Sequence, residues 1–496
     1  MLQIENKYNN IDMLCIDKKF KGDRIRKEIL KNFITRGDGR MRIGTDLTTG
    51  SIFKKYIFFV LPIIASSFLQ QLYNAADTMV VGKFAGDTAL AAVGSTSHLT
   101  NLILNLFIGL SVGTNVICSK YYGADNKEGL KRAIHTSIIL GLILGVPLAL
   151  VGWFGSAYFL GLMGTPIDVI EQAALYMKVF FLGVPAALTY NFGSAILRAA
   201  GDTKRPLYIL SFAGIANVVL NLVCVIVFKL GVVGVALGTI VSQVISAVAV
   251  ISLLRKNDDE FRLRFSKLTI YKKELKNIIG IGVPSGLSGV MFSLSNVIIQ
   301  SSVNFFGKNA VAGNAAASNV EVFGFLLLSA AEQAVISFVG QNMGAKKFDR
   351  VDVSVKDSLI FAGVSTVSFA VVVLTFGRFL LGLFTDGHEV INIGLMKLTI
   401  LMSSYFLYVP GQVLGGALKG LGKAVSPTVI NAICVCLLRV VWIFTIFPLR
   451  RELSTVYFSY PVSWGLASVA TIIVYMRSRK KVFEEEKKRL MQRDII

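Results

Sequence analysis

Tyr122-Gly123-Ala124 recurs as Met343-Gly344-Ala345, and Gly201-Asp202-Thr203-Lys204-Arg205-Pro206 recurs as Gly422-Lys423-Ala424-Val425-Ser426-Pro427. Both matches keep one register, since 344 − 123 and 422 − 201 each equal 221. Further upstream, Leu61-Pro62 answers Val283-Pro284 with one residue of slippage. A unit that occurs twice predicts two lobes, with a site in or between them.

The composition says what kind of unit is repeated. Of 496 residues, 54% are hydrophobic and 16% are charged, and mean hydropathy is +0.64. That is too apolar for a water-soluble protein of this size, so the fold class is an all-α integral membrane protein. A helix needs about 20 apolar residues to cross the hydrocarbon core. Such stretches fall at 57–82, 90–120, 134–159, 173–197, 207–228, 232–254, 277–306, 310–342, 357–384, 393–418, 427–448 and 454–476, which makes twelve spans, six per repeat. An even number of spans per repeat returns the chain to its starting side, so the two lobes should be related by an axis along the membrane normal.

The net charge of +21 would suggest nucleic acid if it were not distributed by loop. Basic residues gather in alternate loops: Lys120, Lys127, Lys131 and Arg132; Arg198, Lys204 and Arg205; residues 255–276; Lys346, Lys347 and Arg350; Lys419 and Lys423. The loops between carry few, such as Lys83, Lys229 and Lys308, with Arg450-Arg451 the exception. This asymmetry puts both termini in the cytoplasm of a multi-pass protein of the inner (plasma) membrane. No basic patch is interleaved with aromatics, so no nucleic-acid partner is expected. The division that follows is a cytoplasmic tail 1–56, an N-lobe 57–254, a solvated basic linker 255–276, a C-lobe 277–476 and a cytoplasmic tail 477–496. Residues 23–33 have the spacing of an amphipathic helix on anionic lipid, or belong to a disordered tail. The five cysteines lack zinc-site spacing and read as small packing residues.

Because an ionisable group at bilayer depth costs on the order of 2.5–3.5 kcal/mol, an intramembrane acid is a functional candidate. Asp77 lies fifteen residues after Pro62. Gln70, Asn74 and Asp77 follow i, i+4, i+7 with Tyr73 one turn below, a polar stripe that must face a lobe interior or a wet cavity. Glu321 and Glu332 lie eleven residues apart on the eighth helix, near Asn314 and Ser318. They either line a cleft that takes a cationic group, or Glu321 pairs with a base such as Arg439. Asn191, Asn217, Asn221 and Thr239 are polar mid-span residues, each suited to joining helices. With Asp77 they would also supply oxygen ligands for a hard cation such as sodium, or hydrogen bonds that tune the acid.

Leu72-Tyr73-Asn74-Ala75-Ala76-Asp77 with Val81-Gly82, Asn191 with Ile196-Leu197-Arg198-Ala199-Ala200-Gly201-Asp202, and Val339-Gly340-Gln341-Asn342-Met343-Gly344-Ala345 resemble the multidrug and toxic compound extrusion (MATE) family over residues 50–476. The resemblance implies a V-shaped, two-lobe transporter that exports cationic, amphipathic drugs in exchange for H+ or Na+. It implies no other cofactor, and a monomer in the lipid bilayer is expected. In the DinF-like branch the coupling set resembles Asp77, Asn191, Asn217, Asn221 and Thr239 here. The position of Asn221 is often an acid in that branch, which lowers the local negative charge; a sodium ion, if bound, would sit at Asp77, Asn217, Asn221 and Thr239. The NorM-like branch uses acids on its seventh and tenth helices, and residues 277–306 and 393–418 contain none. Asp77 is therefore expected to be the one N-lobe coupling acid, with cargo and ion competing for its carboxylate. The alternative with the same two-lobe shell is a flippase for a lipid-linked precursor. Such a protein needs a cationic cleft, for which Arg439 is the chief mid-span candidate. An enzyme is not expected, because His98, His135 and His388 are scattered and no H-E-x-x-H occurs.

Overall fold

The computed structural model describes residues 44–256 and 261–493. The amphipathic segment at 23–33 and Cys15 lie outside the described residues. Within them the chain is helical, with no β-strand. The first repeat comprises α1 (Ile52–Phe84), α2 (Asp87–Gly123), α3 (Lys127–Leu162), α4 (Ile167–Leu182), α5 (Val184–Ala199), α6 (Lys204–Leu222) and α7 (Gly231–Lys256). The second comprises α8 (Lys272–Asn304), α9 (Lys308–Gly344), α10 (Phe348–Gly382), α11 (His388–Ser404), α12 (Tyr408–Gly420), α13 (Val425–Ile430), α14 (Leu438–Thr445) and α15 (Leu453–Arg493). Among the described residues, eleven helical stretches are long and apolar enough to cross a membrane, and α4 with α5, bent by 46° at Gly183, makes the twelfth. Large apolar side chains such as Phe154, Phe212, Val364 and Phe379 are exposed along these spans, as expected of surfaces that face lipid tails.

The internal repeat extends to the backbone. Gly86 and Gly307, Asp125 and Lys346, and Gly201 and Gly422 all have positive φ, and each pair keeps the 221-residue register. These positions end or begin equivalent helices, where a left-handed residue lets the chain reverse.

The lobes meet along α2, α8 and α9, with the contact between α2 and α8 the most extensive in the fold. A Cβ on Gly123 would stand 1.9 Å from the Gln341 carbonyl oxygen, and a Cβ on Gly344 would stand 2.1 Å from that of Lys120. Lys120 and Gln341 are themselves 221 apart, so the contact maps onto itself when the lobes are exchanged. That is the signature of a two-fold axis, and it explains why glycine recurs in the repeated Gly-Ala motif. Asn115 Oδ1 accepts from Ser337 Oγ at 3.1 Å on the same seam. These contacts lie in the halves of the helices nearest the side that carries both termini.

Three segments expected to be solvated are packed instead. Residues 46–50 are held in the seam: Leu47 is 1% exposed, its amide donates to Gln341 Oε1 at 3.0 Å, and Arg350 donates to the carbonyls of Leu47, Thr49 and Gly50. In the linker, Phe261 and Leu263 are buried, and Glu274 accepts from Arg132 Nε at 3.1 Å. Beyond residue 476, α15 continues to Arg493, because Val482, Phe483 and Glu486 find buried positions and Arg479 forks onto Asp352. Charge made these stretches look like tails, but a few buried apolar residues fix where they lie.

Candidate functional site

Asp77 sits on α1 and turns into the first lobe, toward α6 and α7. Asn221 Nδ2 donates to its Oδ1 at 2.5 Å. One turn earlier on α6, Asn217 Nδ2 donates to Thr239 Oγ1 of α7 at 3.4 Å, and Thr239 in turn donates to the Val235 carbonyl at 3.1 Å. Asn217 and Asn221 are 4% and 0% exposed. Helix α6 passes into a π-helical turn at Val223–Val227, two residues after Asn221, an irregularity that often marks a functional site. Facing it, Gly238 leaves room for Asn221, since a Cβ there would lie 2.0 Å from Oδ1.

The polar groups of this cluster are not all satisfied. Asn217 Oδ1 and Asn221 Oδ1 are buried with no donor. Both oxygens are acceptors only, as are the oxygens of an ionised Asp77, and the two asparagines lie one turn apart on the same face of α6.

Other expected members stand apart. Asn191 Nδ2 donates to the Ala187 carbonyl of its own helix at 2.9 Å, so it is not hydrogen-bonded into the Asp77 cluster. Tyr73 packs against Gly214 of α6 and donates to the Ser211 carbonyl at 3.2 Å. Gln70 and Asn74 are exposed, so the stripe enters the lobe only at Tyr73 and Asp77.

The acids of the second lobe are paired. Glu321 meets Lys397 Nζ of α11 at 3.3 Å, which corrects the expected Glu321–Arg439 pair. Lys397 also donates to Ser318 Oγ at 2.6 Å. Glu332 meets Lys419 of α12 at 2.6 Å. Each carboxylate thus already has an ammonium partner. Arg439 is fully buried; it donates to Ser463 Oγ at 3.1 Å and lies 4.0 Å from the centre of the Tyr460 ring. The sequence reading passed over Lys397, although a lysine at mid-span carries the same warning as an acid. His135 is structural, accepting at Nε2 from the amide of Arg264 at 3.3 Å.

Comparison with known proteins bears on the whole region. The MatE family model matches twice, at residues 62–223 and 284–445, once in each repeat. The chain is 28% identical over 435 residues to the probable multidrug resistance protein YoeA of Bacillus subtilis (strain 168), an overlap covering 86% of this chain and 93% of that one. It is 30% identical over 395 residues to the probable multidrug resistance protein YpnP of the same organism, covering 79% and 88%. Among solved structures, an outward-facing multidrug resistance MATE transporter of the MOP superfamily superposes with a TM-score of 0.82 at 24% identity, covering 90% of this chain and 99% of that one.

Proposed function

This chain belongs to the MatE (multidrug and toxic compound extrusion) family, and on that premise we propose that it is a secondary active exporter of cationic, amphipathic compounds, driven by the inward flow of H+ or Na+. The observation that carries the reading is the part-buried Asp77–Asn221 contact, on a face of α6 where the amide oxygens of Asn217 and Asn221 have no donor. Placement in the plasma membrane with both termini in the cytoplasm is part of the same proposal, as is action as a monomer.

Ionised Asp77 accepts a hydrogen bond from Asn221 and leaves one negative charge inside the first lobe. A cationic compound that reaches the first lobe is attracted to that charge. When Asp77 takes a proton, the charge disappears and the carboxyl becomes a donor. The Asn221 amide can then rotate to present Oδ1 to the new donor, and the attraction for the cargo falls. A sodium ion would act on the same set by a different route, ligated by oxygens of Asp77, Asn217, Asn221 and Thr239. Either ion competes with the cargo for one carboxylate, which is the condition for exchange. Rocking of the lobes about the α2–α8–α9 seam would expose the site to each side in turn.

Proteoliposomes loaded with a cationic dye test this. A pH gradient and a sodium gradient are imposed separately at constant membrane potential, and dye loss is followed by fluorescence. Efflux driven by one of the gradients is expected. Efflux that responds to neither would overturn the coupling.

A further inference from the structure

On the side of the termini, where the ends of both repeats converge, there is a cavity of about 680 Å³. Its walls include Lys120 and Tyr121 from the end of α2, Lys273 from the start of α8, Lys346 from the turn after α9, and Glu486 and Arg489 from the last turns of α15. The one carboxylate among these, Glu486, is already engaged by Lys346 and by Arg489 Nη1 at 3.3 Å. Lys120 and Lys273 have no carboxylate within 4.0 Å among the described residues. Four cationic side chains from four separate elements thus surround one committed anion, and the cavity is electropositive. Orientation of the chain by basic loops accounts for lysine near helix ends. It does not require those lysines to converge on a concavity, nor that α15 run on past the bilayer to close it.

The location narrows the ligand. Lys120 stands one turn before Gly123, where α2 ends, so the cavity lies at the level where spans meet lipid headgroups. Basic pockets of this kind between helices suit phosphate oxygens, and the volume is that of a small-molecule site.

We propose that this cavity binds a phosphate-bearing anion, either the headgroup of an anionic phospholipid or a soluble phosphate compound, held between Lys120 and Lys273 and flanked by Lys346 and Arg489. Because its walls come from both lobes, an occupied cavity favours the arrangement in which the lobes are closed on the side of the termini. The ligand would therefore act as a brake on switching, separate from the Asp77 site.

The test uses the full-length protein in a neutral maltoside detergent, with Tm as the readout. One arm titrates sodium pyrophosphate against sodium chloride of equal ionic strength. The other adds phosphatidylglycerol against phosphatidylcholine. A saturable rise in Tm is expected in at least one arm, and the responding arm names the source. In the Lys120→Gln/Lys273→Gln variant the midpoint should move to at least about tenfold higher ligand concentration. A Lys120→Arg/Lys273→Arg variant, which keeps both charges, should respond like the wild type and so controls for damage to the fold. No rise in either arm, or an unchanged midpoint in the glutamine variant, overturns the proposal.

Discussion

Replacing Glu321 by Gln should destabilise the second lobe strongly, and removing its partner as well should restore most of the loss. Lys397 Nζ lies 3.3 Å from Glu321, and the lysine side chain is 3% exposed. With Gln at position 321 the ammonium loses its counter-charge and keeps only neutral acceptors, the glutamine Oε1, the Ser318 hydroxyl at 2.6 Å and the Asn314 carbonyl at 3.5 Å. Stranding one member of a buried pair costs about 3–5 kcal/mol. For a folding unit of about 150–250 residues each kcal/mol lowers Tm by about 2–4 °C, so a fall of about 6–20 °C follows. In Glu321→Gln/Lys397→Met both charges are gone and the methionine refills the lysine stem, an exchange that is often close to neutral. Thermal unfolding of the detergent-solubilised protein, followed by size-exclusion fluorescence, measures both. A single variant as stable as the wild type, or a double variant no better than the single, would refute the reasoning. Dye efflux by the double variant then separates a structural pair from a cargo site: a structural pair predicts that efflux survives.

Three further outcomes are expected. Asn221→Asp places a second carboxylate beside Asp77, and should raise sodium-driven efflux relative to proton-driven efflux; an unchanged ratio in proteoliposomes would count against the shared oxygen set. Gly344→Leu puts a side chain where even a Cβ lies 2.1 Å from the Lys120 carbonyl, so the lobes should stand further apart on the side of the termini, read as a longer spin-label distance across the seam. Arg350→Ala removes the donors that hold the carbonyls of residues 47, 49 and 50, and should make the chain before α1 sensitive to limited proteolysis, with little change in efflux.

Much of the fold was legible because the repeat and the apolar run lengths are independent signals that agree. Gly123 and Gly344 were recognised as equivalent from the sequence. Their shared reason, backbone contact across a two-fold axis, appears only when the lobes are assembled. Asp77, Asn217, Asn221 and Thr239 were legible as a group, since each is a polar residue where lipid tolerates none and together they come from neighbouring helices. Asn191 is a mid-span polar residue like the others and proves to bond its own helix, a distinction that helical spacing does not carry. Lys397 stands between apolar neighbours on its helix and carries no spacing that names its partner, and the pairing of Glu321 depends on which of two distant helices lies alongside. The packed segments at 46–50, 261–276 and 477–493 were read by charge; their few apolar residues, such as Leu47, Phe261 and Phe483, decide their position.

The most direct test of the account is dye efflux from proteoliposomes containing the Asp77→Asn variant, in parallel with wild type reconstituted at equal density. Asparagine keeps the size of the side chain and removes both its charge and its titration, so efflux under either gradient should fall to the level of empty vesicles while Tm stays within a few degrees of wild type. Efflux at the wild-type rate from the Asp77→Asn protein would contradict the claim that this one carboxylate serves both cargo and ion.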